Sequence, residues 1–373
     1  MTSLALWALS HWPWFVEAVY ARGISFQISR ALSTVAGVVP TSVAALVLVG
    51  VALYVIVPLL VTLVALRRRQ RRWGEALGAG ALRTLAAALV AFTVFYLVWG
   101  LNYARAPLQA RLGWPLMARP ASEAEPPMDD QIAALAAELI EATNESYRAA
   151  TGGDDLGRPT TLPTSSEAFD AGLDDAFVRV QALLGLEPQF AARRGPAKPF
   201  TGSVLLSYLG LTGFYFPFTG EPNYNGDAPA SGVPHYMAHE KSHQRGIALE
   251  DEAHFIAYLA CVMSDDPYAQ YSGYLFGQSE LLGELWWRSP ARVGELRKLR
   301  SAGVNRDLQF RRDYWARYEG LPERIGSAVN DRYLRAQGIA AGVGSYAASR
   351  HLLILFARQH GGSLRLPGKA GRQ

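Results

Sequence analysis

The stretch from Val43 to Leu66, VAALVLVGVALYVIVPLLVTLVAL, constrains this chain more than any other feature. It carries no charge, and Thr62 is its only conventionally polar side chain. As a helix rising about 1.5 Å per residue, it is long enough to cross a hydrocarbon core of about 30 Å. A buried core helix rarely runs so far without a charge, so this stretch is read as transmembrane, with Pro58 tolerable in lipid. Leu85 to Leu101 (LAAALVAFTVFYLVWGL) is a second, shorter candidate. Tyr96, Trp99 and Tyr103 stand at its far end, where an interfacial aromatic belt belongs. The composition agrees: 50% of residues are hydrophobic and only 18% are charged, against roughly 25% charged in soluble chains.

Charge sets the expected orientation. Arg67, Arg68, Arg69, Arg71 and Arg72 lie between the two stretches, followed by Arg83, whereas only Arg22 and Arg30 precede the first. An arginine-rich loop between spans stays cytoplasmic. The expectation is a multi-pass protein of the cell membrane with its N-terminus and C-terminal domain extracytoplasmic. The same cluster accounts for the basic balance, because removing its five charges from the net +4 leaves −1. No basic face remains to bind nucleic acid. Cys261 is the only cysteine, which excludes an intrachain disulfide, a thiolate zinc knuckle and an iron–sulfur cluster.

The chain is divided as follows. Residues 1–41 form an N-terminal segment. Within it, residues 4–21 are apolar and tryptophan-rich, lack a basic start and contain Glu17. An interfacial helix fits them better than a cleaved signal peptide, with a third span as the alternative. Residues 42–104 hold the two spans and a basic loop at 67–83. Residues 105–127 are a linker, 128–363 a mostly helical domain, and 364–373 a flexible tail. Within the domain, 129–150 and 166–185 read as helices. Residues 203–225, rich in aromatics, Gly and Pro, read as two or three short strands.

Chemistry concentrates in residues 234–254, PHYMAHEKSHQRGIALEDEAH. His239-Glu240-Lys241-Ser242-His243 fits H-E-x-x-H. Residues four apart share a helix face, so both imidazoles can reach one zinc ion, and Glu240 can act as base towards the water on that ion. Pro234 suits the first turn of that helix and Gly246 the position just past its end. A catalytic zinc needs a third protein ligand. Only Ile247, Ala248 and Leu249 separate Gly246 from Glu250-Asp251-Glu252, so an αα-hairpin brings a carboxylate beside His243. Glu250 shares a helical stripe with Ala253, Ala257 and Cys261, small residues that allow close approach. The stripe from Glu252 carries bulkier side chains. Glu250 is therefore favoured, with Glu252 and His254 as neighbouring groups or alternative ligands. His235, Tyr224, Tyr271 and Tyr274 are the candidates for contacts to substrate or transition state.

The run from His239 to Glu250-x-x-Ala253-His254 resembles the gluzincin metallopeptidases. In those proteins H-E-x-x-H is followed by E-x-x-A-D or E-x-x-A-N on a second helix. The resemblance implies one zinc held by His239, His243 and Glu250, a zincin-like domain, and an edge strand before the zinc helix that pairs with a peptide. His254 departs from the pattern, standing where Asp or Asn is usual. More narrowly, the chain is similar over about residues 40–360 to domain-of-unknown-function family 3810, described as membrane-anchored. That similarity rests on WGLNYARAPL (99–108), SYLGLTGFYFPFTGEPNYN (207–225), HEKSHQRGIALEDEAHFIAYLAC (239–261), YSGYLFG (271–277) and DRYLRAQGIAAGVGSY (331–346). The combined expectation is a membrane-anchored α+β protein: two N-terminal transmembrane helices, then a mostly helical zincin-like domain with a small β-sheet before the H-E-x-x-H helix. Its partners would be the lipid bilayer that anchors it and a peptide or protein substrate hydrolysed on the extracytoplasmic side. Two other readings share these residues: a zinc hydrolase of a non-peptide amide or ester in lipid or wall material, and a zinc-binding membrane sensor or scaffold without turnover.

Overall fold

The computed structural model describes residues 9–68, 73–115 and 128–366. The basic run at 69–72, most of the linker (116–127) and most of the tail (367–373) lie outside the described residues. The chain is mostly helical, with one three-stranded sheet.

A π-helical segment, Phe15–Ile24, continues into helix α1, Ser25–Gly37. Ser25, Ser29 and Ser33 repeat every four residues on one face and are buried there. This small polar stripe brings α1 against the rest of the protein. Ser29 Oγ donates to the Gln244 carbonyl (3.0 Å), and Gly195 N–H donates to Ser33 Oγ (3.2 Å). The N-terminal region thus contributes a packed helix.

Helices α2 (Val43–Arg67) and α3 (Trp73–Val98) are both long and apolar enough to cross a membrane. Their most apolar windows have mean hydropathy 2.8 and 2.0, and almost none of that surface is covered by protein. Residues 73–83, read from sequence as loop, belong to the helix despite three glycines. Arg83 therefore lies within α3, where its guanidinium sits over the Tyr54 ring.

The start of α2 is capped from two directions. Ser42 Oγ accepts from Ala45 N–H, while the Glu221 carboxylate accepts from Val43 and Ala44 N–H (3.1 and 2.7 Å). Three of the four N–H groups that a helix start leaves unpaired are thereby satisfied, next to a charge of the sign the helix dipole favours.

The remaining elements are α4 (Met128–Thr151), α5 (Ser166–Leu184), β1 (Lys198–Pro199), α6 (Ser203–Tyr208), β2 (Gly213–Phe216) and β3 (Glu221–Tyr224). They are followed by α7 (Val233–Gln244), α8 (Glu250–Val262), α9 (Pro267–Trp286), α10 (Pro290–Arg297), α11 (Ala302–Ala316), α12 (Leu321–Ala336) and α13 (Ser349–Gln359). The sheet order is β1-β3-β2; β1 runs parallel and β2 antiparallel to β3. Of the region 203–225, expected to hold two or three short strands, two form the hairpin at 213–224 and 203–208 is helix α6. The apolar core gathers α4, α5, α9 and α13 around α7 and α8, and α7 is buried along its whole length.

Candidate metal centre

Helix α7 begins with Pro234 in its first turn and ends at Gln244. Gly246 then takes φ 83°, a left-handed conformation that ends helices at little cost only for glycine. After three intervening residues α8 starts at Glu250. This tight hairpin places the first turn of α8 against the last turn of α7.

His239, His243 and Glu250 converge there. His239 Nε2 and His243 Nε2 are 3.1 Å apart; Glu250 Oε2 lies 3.1 Å from the first and 3.5 Å from the second. A tetrahedral zinc with ligands at about 2.0–2.1 Å separates its ligand atoms by about 3.3 Å. The triangle of donors therefore matches one face of such a site. His243 Nδ1 lies 2.7 Å from the Ile247 carbonyl. A carbonyl only accepts, so Nδ1 carries the hydrogen of the neutral ring and Nε2 keeps its lone pair for a metal. The chemistry of the donor set fits zinc.

Electrostatics without a metal show the same cluster closing on itself. Burial tends to raise the Glu250 carboxyl, but the flanking His243 and His239 imidazoles outweigh it and hold the group well below its ordinary value. Burial opposes charge on His243, yet Glu250 and Glu240 raise it to about 9. Burial lowers His239. A proton on His243 thus does part of the work that a cation would do.

Glu240 turns to the opposite wall. Its carboxylate accepts the Tyr215 N–H of β2, and burial pushes it up to about 8. A Cβ on Gly213 would come within 2.7 Å of Glu240 Oε1, so only glycine lets the strand approach the carboxylate this closely. Glu240 Oε2 is buried with no hydrogen-bond partner among the described residues, which suits a group that handles a water or substrate proton.

Glu252 turns away from the centre. It accepts the Leu108 N–H at 2.5 Å, and burial, opposed by Arg111, raises it to about 7. His254, one turn beyond Glu250, sets its ring 4.2 Å from that of His239. His235 is buried beside it, 3.9 Å from the Phe276 ring. Burial pushes both imidazoles well down, so they are neutral.

The metal centre opens into a cleft of about 1070 Å³ that includes His235, His239, Glu240, His243, Glu250 and His254. Tyr224, Tyr271 and Tyr274, the other sequence candidates, are not among the residues that line it. Tyr271 donates to Asp307 (2.8 Å) and packs on Tyr147, Tyr274 packs towards Tyr258, and Tyr224 is buried within the sheet. Helix α9 instead presents Phe276, about 200° round from Tyr274 at 100° per residue.

The tyrosines that line the cleft are Tyr103, Tyr215, Tyr236 and Tyr333. Tyr333 accepts from Tyr103 Oη (3.1 Å). Burial raises it to about 12, with the Glu250 charge adding to the rise, so it stays a hydrogen donor. It comes from α12, far along the chain, and no local pattern announces it. A second set missed from sequence supports helix α7 from behind. Lys241 meets Asp170 (2.5 Å) and Asp174 (3.0 Å), and Arg245 meets Asp174 (2.7 Å). Both pairs are spaced four apart, Lys241/Arg245 and Asp170/Asp174, and that matched spacing was the available signal.

A family model described as Protein of unknown function (DUF3810) matches residues 20–354. The chain belongs to this family. No curated protein and no solved structure matches it. The DUF3810 match takes in α1, both apolar helices and the hairpin that carries the metal centre, so these parts form one family unit.

Proposed function

We propose that this DUF3810 protein is a membrane-anchored, zinc-dependent metallopeptidase with a zincin-like domain, facing the extracytoplasmic side. The observation that carries the reading is the buried His239–His243–Glu250 triangle beside Glu240, itself set against the free edge of a strand. A zinc ion held by the three ligands supplies Lewis acidity and makes water a nucleophile near neutral pH. The chain's own groups do the rest. The free edge of β2 aligns an extended peptide by main-chain pairing. Glu240, one residue beyond His239 and in contact with that edge, takes the proton of the attacking water and passes it to the leaving amine. Tyr333, protonated and held by Tyr103, donates to the oxygen on which charge develops. Glu240 also favours turnover over a silent zinc scaffold, since a purely structural site has no need of a base there. The arginines at 67–72 keep the loop between spans cytoplasmic, which puts the domain outside.

The full chain and its Glu240→Gln variant, purified in detergent, test this. Both should hold one zinc per chain, and only the native protein should cut a mixed peptide library. Cleavage confined to non-peptide amides or esters would replace the peptidase reading with a different zinc hydrolase. Loss of zinc from Glu240→Gln would overturn the assignment of roles.

A further inference from the structure

Two sets of contacts fix the cleft relative to the apolar helices. Glu221 caps Val43 and Ala44, and Ser42 Oγ donates to Asn223 Oδ1 (2.6 Å), so the start of α2 is level with the Glu221 end of β3. Trp99, just past α3, donates from Nε1 to the His243 carbonyl (3.1 Å), and its ring lies 5.6 Å from that of Tyr215. Phe95, in the last turn of α3, lines the cleft itself. The beginning of α2 and the end of α3 thus both meet the domain at the sheet and the metal centre.

The strand register adds a direction. Phe216 pairs with Glu221, Phe214 with Asn223 and Gly213 with Tyr224. The Phe214–Phe216 part of the free edge is therefore level with the start of α2, which meets both Glu221 and Asn223. Gly213 stands one residue, about 3 Å, beyond it. Glu240 touches this edge at Gly213 and Tyr215. The turn at the near end is Phe216-Pro217-Phe218, part of an uncharged run from Thr212 to Gly220. Its two phenyl rings pack together and are only half-buried.

We propose that the free edge of β2 runs outward from the bilayer surface, and that the substrates are membrane-anchored polypeptides cut in the first few residues outside the bilayer. A chain leaving the membrane beside Phe216 pairs with β2 at once and reaches Glu240 within about two to four residues at 3.3 Å each. A soluble protein would have to bring an extended segment down to the headgroups to do the same. The proposal rests on the peptidase reading for its chemistry and on α2 and α3 spanning the bilayer.

The full chain is reconstituted in phosphatidylcholine–phosphatidylglycerol vesicles with a peptide repeat that follows a single transmembrane helix, and separately with the same repeat free in solution. Cuts should cluster within about five residues of the bilayer, and the free peptide should be cut at least tenfold more slowly. Cuts spread along the repeat, or equal rates for free and anchored forms, would overturn the proposal. A second measurement does not depend on activity. Cys261 is the only cysteine and is buried, so a fluorophore on Phe218→Cys reports one place. Brominated lipid should quench it and should leave a label on Lys298→Cys unquenched. An unquenched Phe218 label would overturn the placement. A quenched label on a protein that binds no zinc and cuts no substrate would sink the peptidase reading while upholding the placement.

Discussion

Helix α2 is apolar on every side and bare, whereas α7 carries three histidines, a glutamate, a lysine and a glutamine and is buried on every side. Neither has a polar face set against an apolar one. In α2 nothing needs a partner, and the surface suits a hydrocarbon surrounding. In α7 several polar groups have specific ones. Lys241 and Arg245 meet the α5 aspartates, Gln244 Nε2 donates to the Gly195 and Gly220 carbonyls, and Ser242 Oγ donates to the Ala238 carbonyl. What these partners leave free is the side that carries His239, Glu240 and His243. The helix that is bare beyond its first turn tolerates change; the helix braced by its neighbours holds a reactive set in one geometry.

The largest effects should come from removing a group of the metal centre. Glu250→Ala should leave no measurable zinc and no activity, because two imidazoles alone do not make a stable tetrahedral site. Glu252→Ala should keep zinc, since that carboxylate faces Leu108 and Arg111. Zinc analysis of the purified variants checks both, and a Glu252→Ala protein without zinc beside a loaded Glu250→Ala would reverse the ligand assignment.

Next in size is the support behind α7. Asp174→Ala leaves Arg245 buried without its carboxylate and should destabilise the domain by about 3–5 kcal/mol, the usual cost of breaking a buried pair from one side. Leu59→Ala and Val61→Ala on bare α2 should shift the melting of the detergent-solubilised protein very little. Comparable shifts in all three would erase the contrast between the helices.

The two regions also differ in how plainly the sequence announces them. A long uncharged run reveals α2 without any knowledge of its partners. The metal centre is equally plain because its ligands lie within one short hairpin, and a four-residue spacing on a helix is a local rule. Contacts made across the chain are not local and left only faint traces. The serine stripe of α1 and the paired spacing of Asp170/Asp174 with Lys241/Arg245 are visible afterwards, but neither names its partner. Tyr333 left no trace at all. Residues 203–225 suggested two or three short strands, yet 203–208 forms one and a half turns of helix closed by Leu209. Composition alone cannot decide so short a piece.

The smallest expected effect is graded and tests the charge balance inside the metal centre. Without metal, Glu250 and Glu240 hold a proton on His243 up to about pH 9, and burial holds one on Glu240 up to about 8. Zinc can bind only after the proton on His243 leaves, so binding below pH 9 releases at least that one. Apparent affinity should then rise about tenfold per pH unit, more steeply where Glu240 also gives up its proton, and level off near pH 9. The metal-free protein should respond in the opposite sense. His243 has a higher pKa folded than unfolded, so its contribution to stability is complete below about pH 6.5 and is lost as pH rises through about 9. Glu240 acts in the same direction, because its folded value is also raised. Zinc titrations and metal-free melting curves at pH 6.5, 7.5 and 8.5 would show tightening binding beside a falling melting temperature. An affinity that does not change across that range would mean that His243 is already neutral without metal, and that the ion pair with Glu250 is not what holds the empty site together.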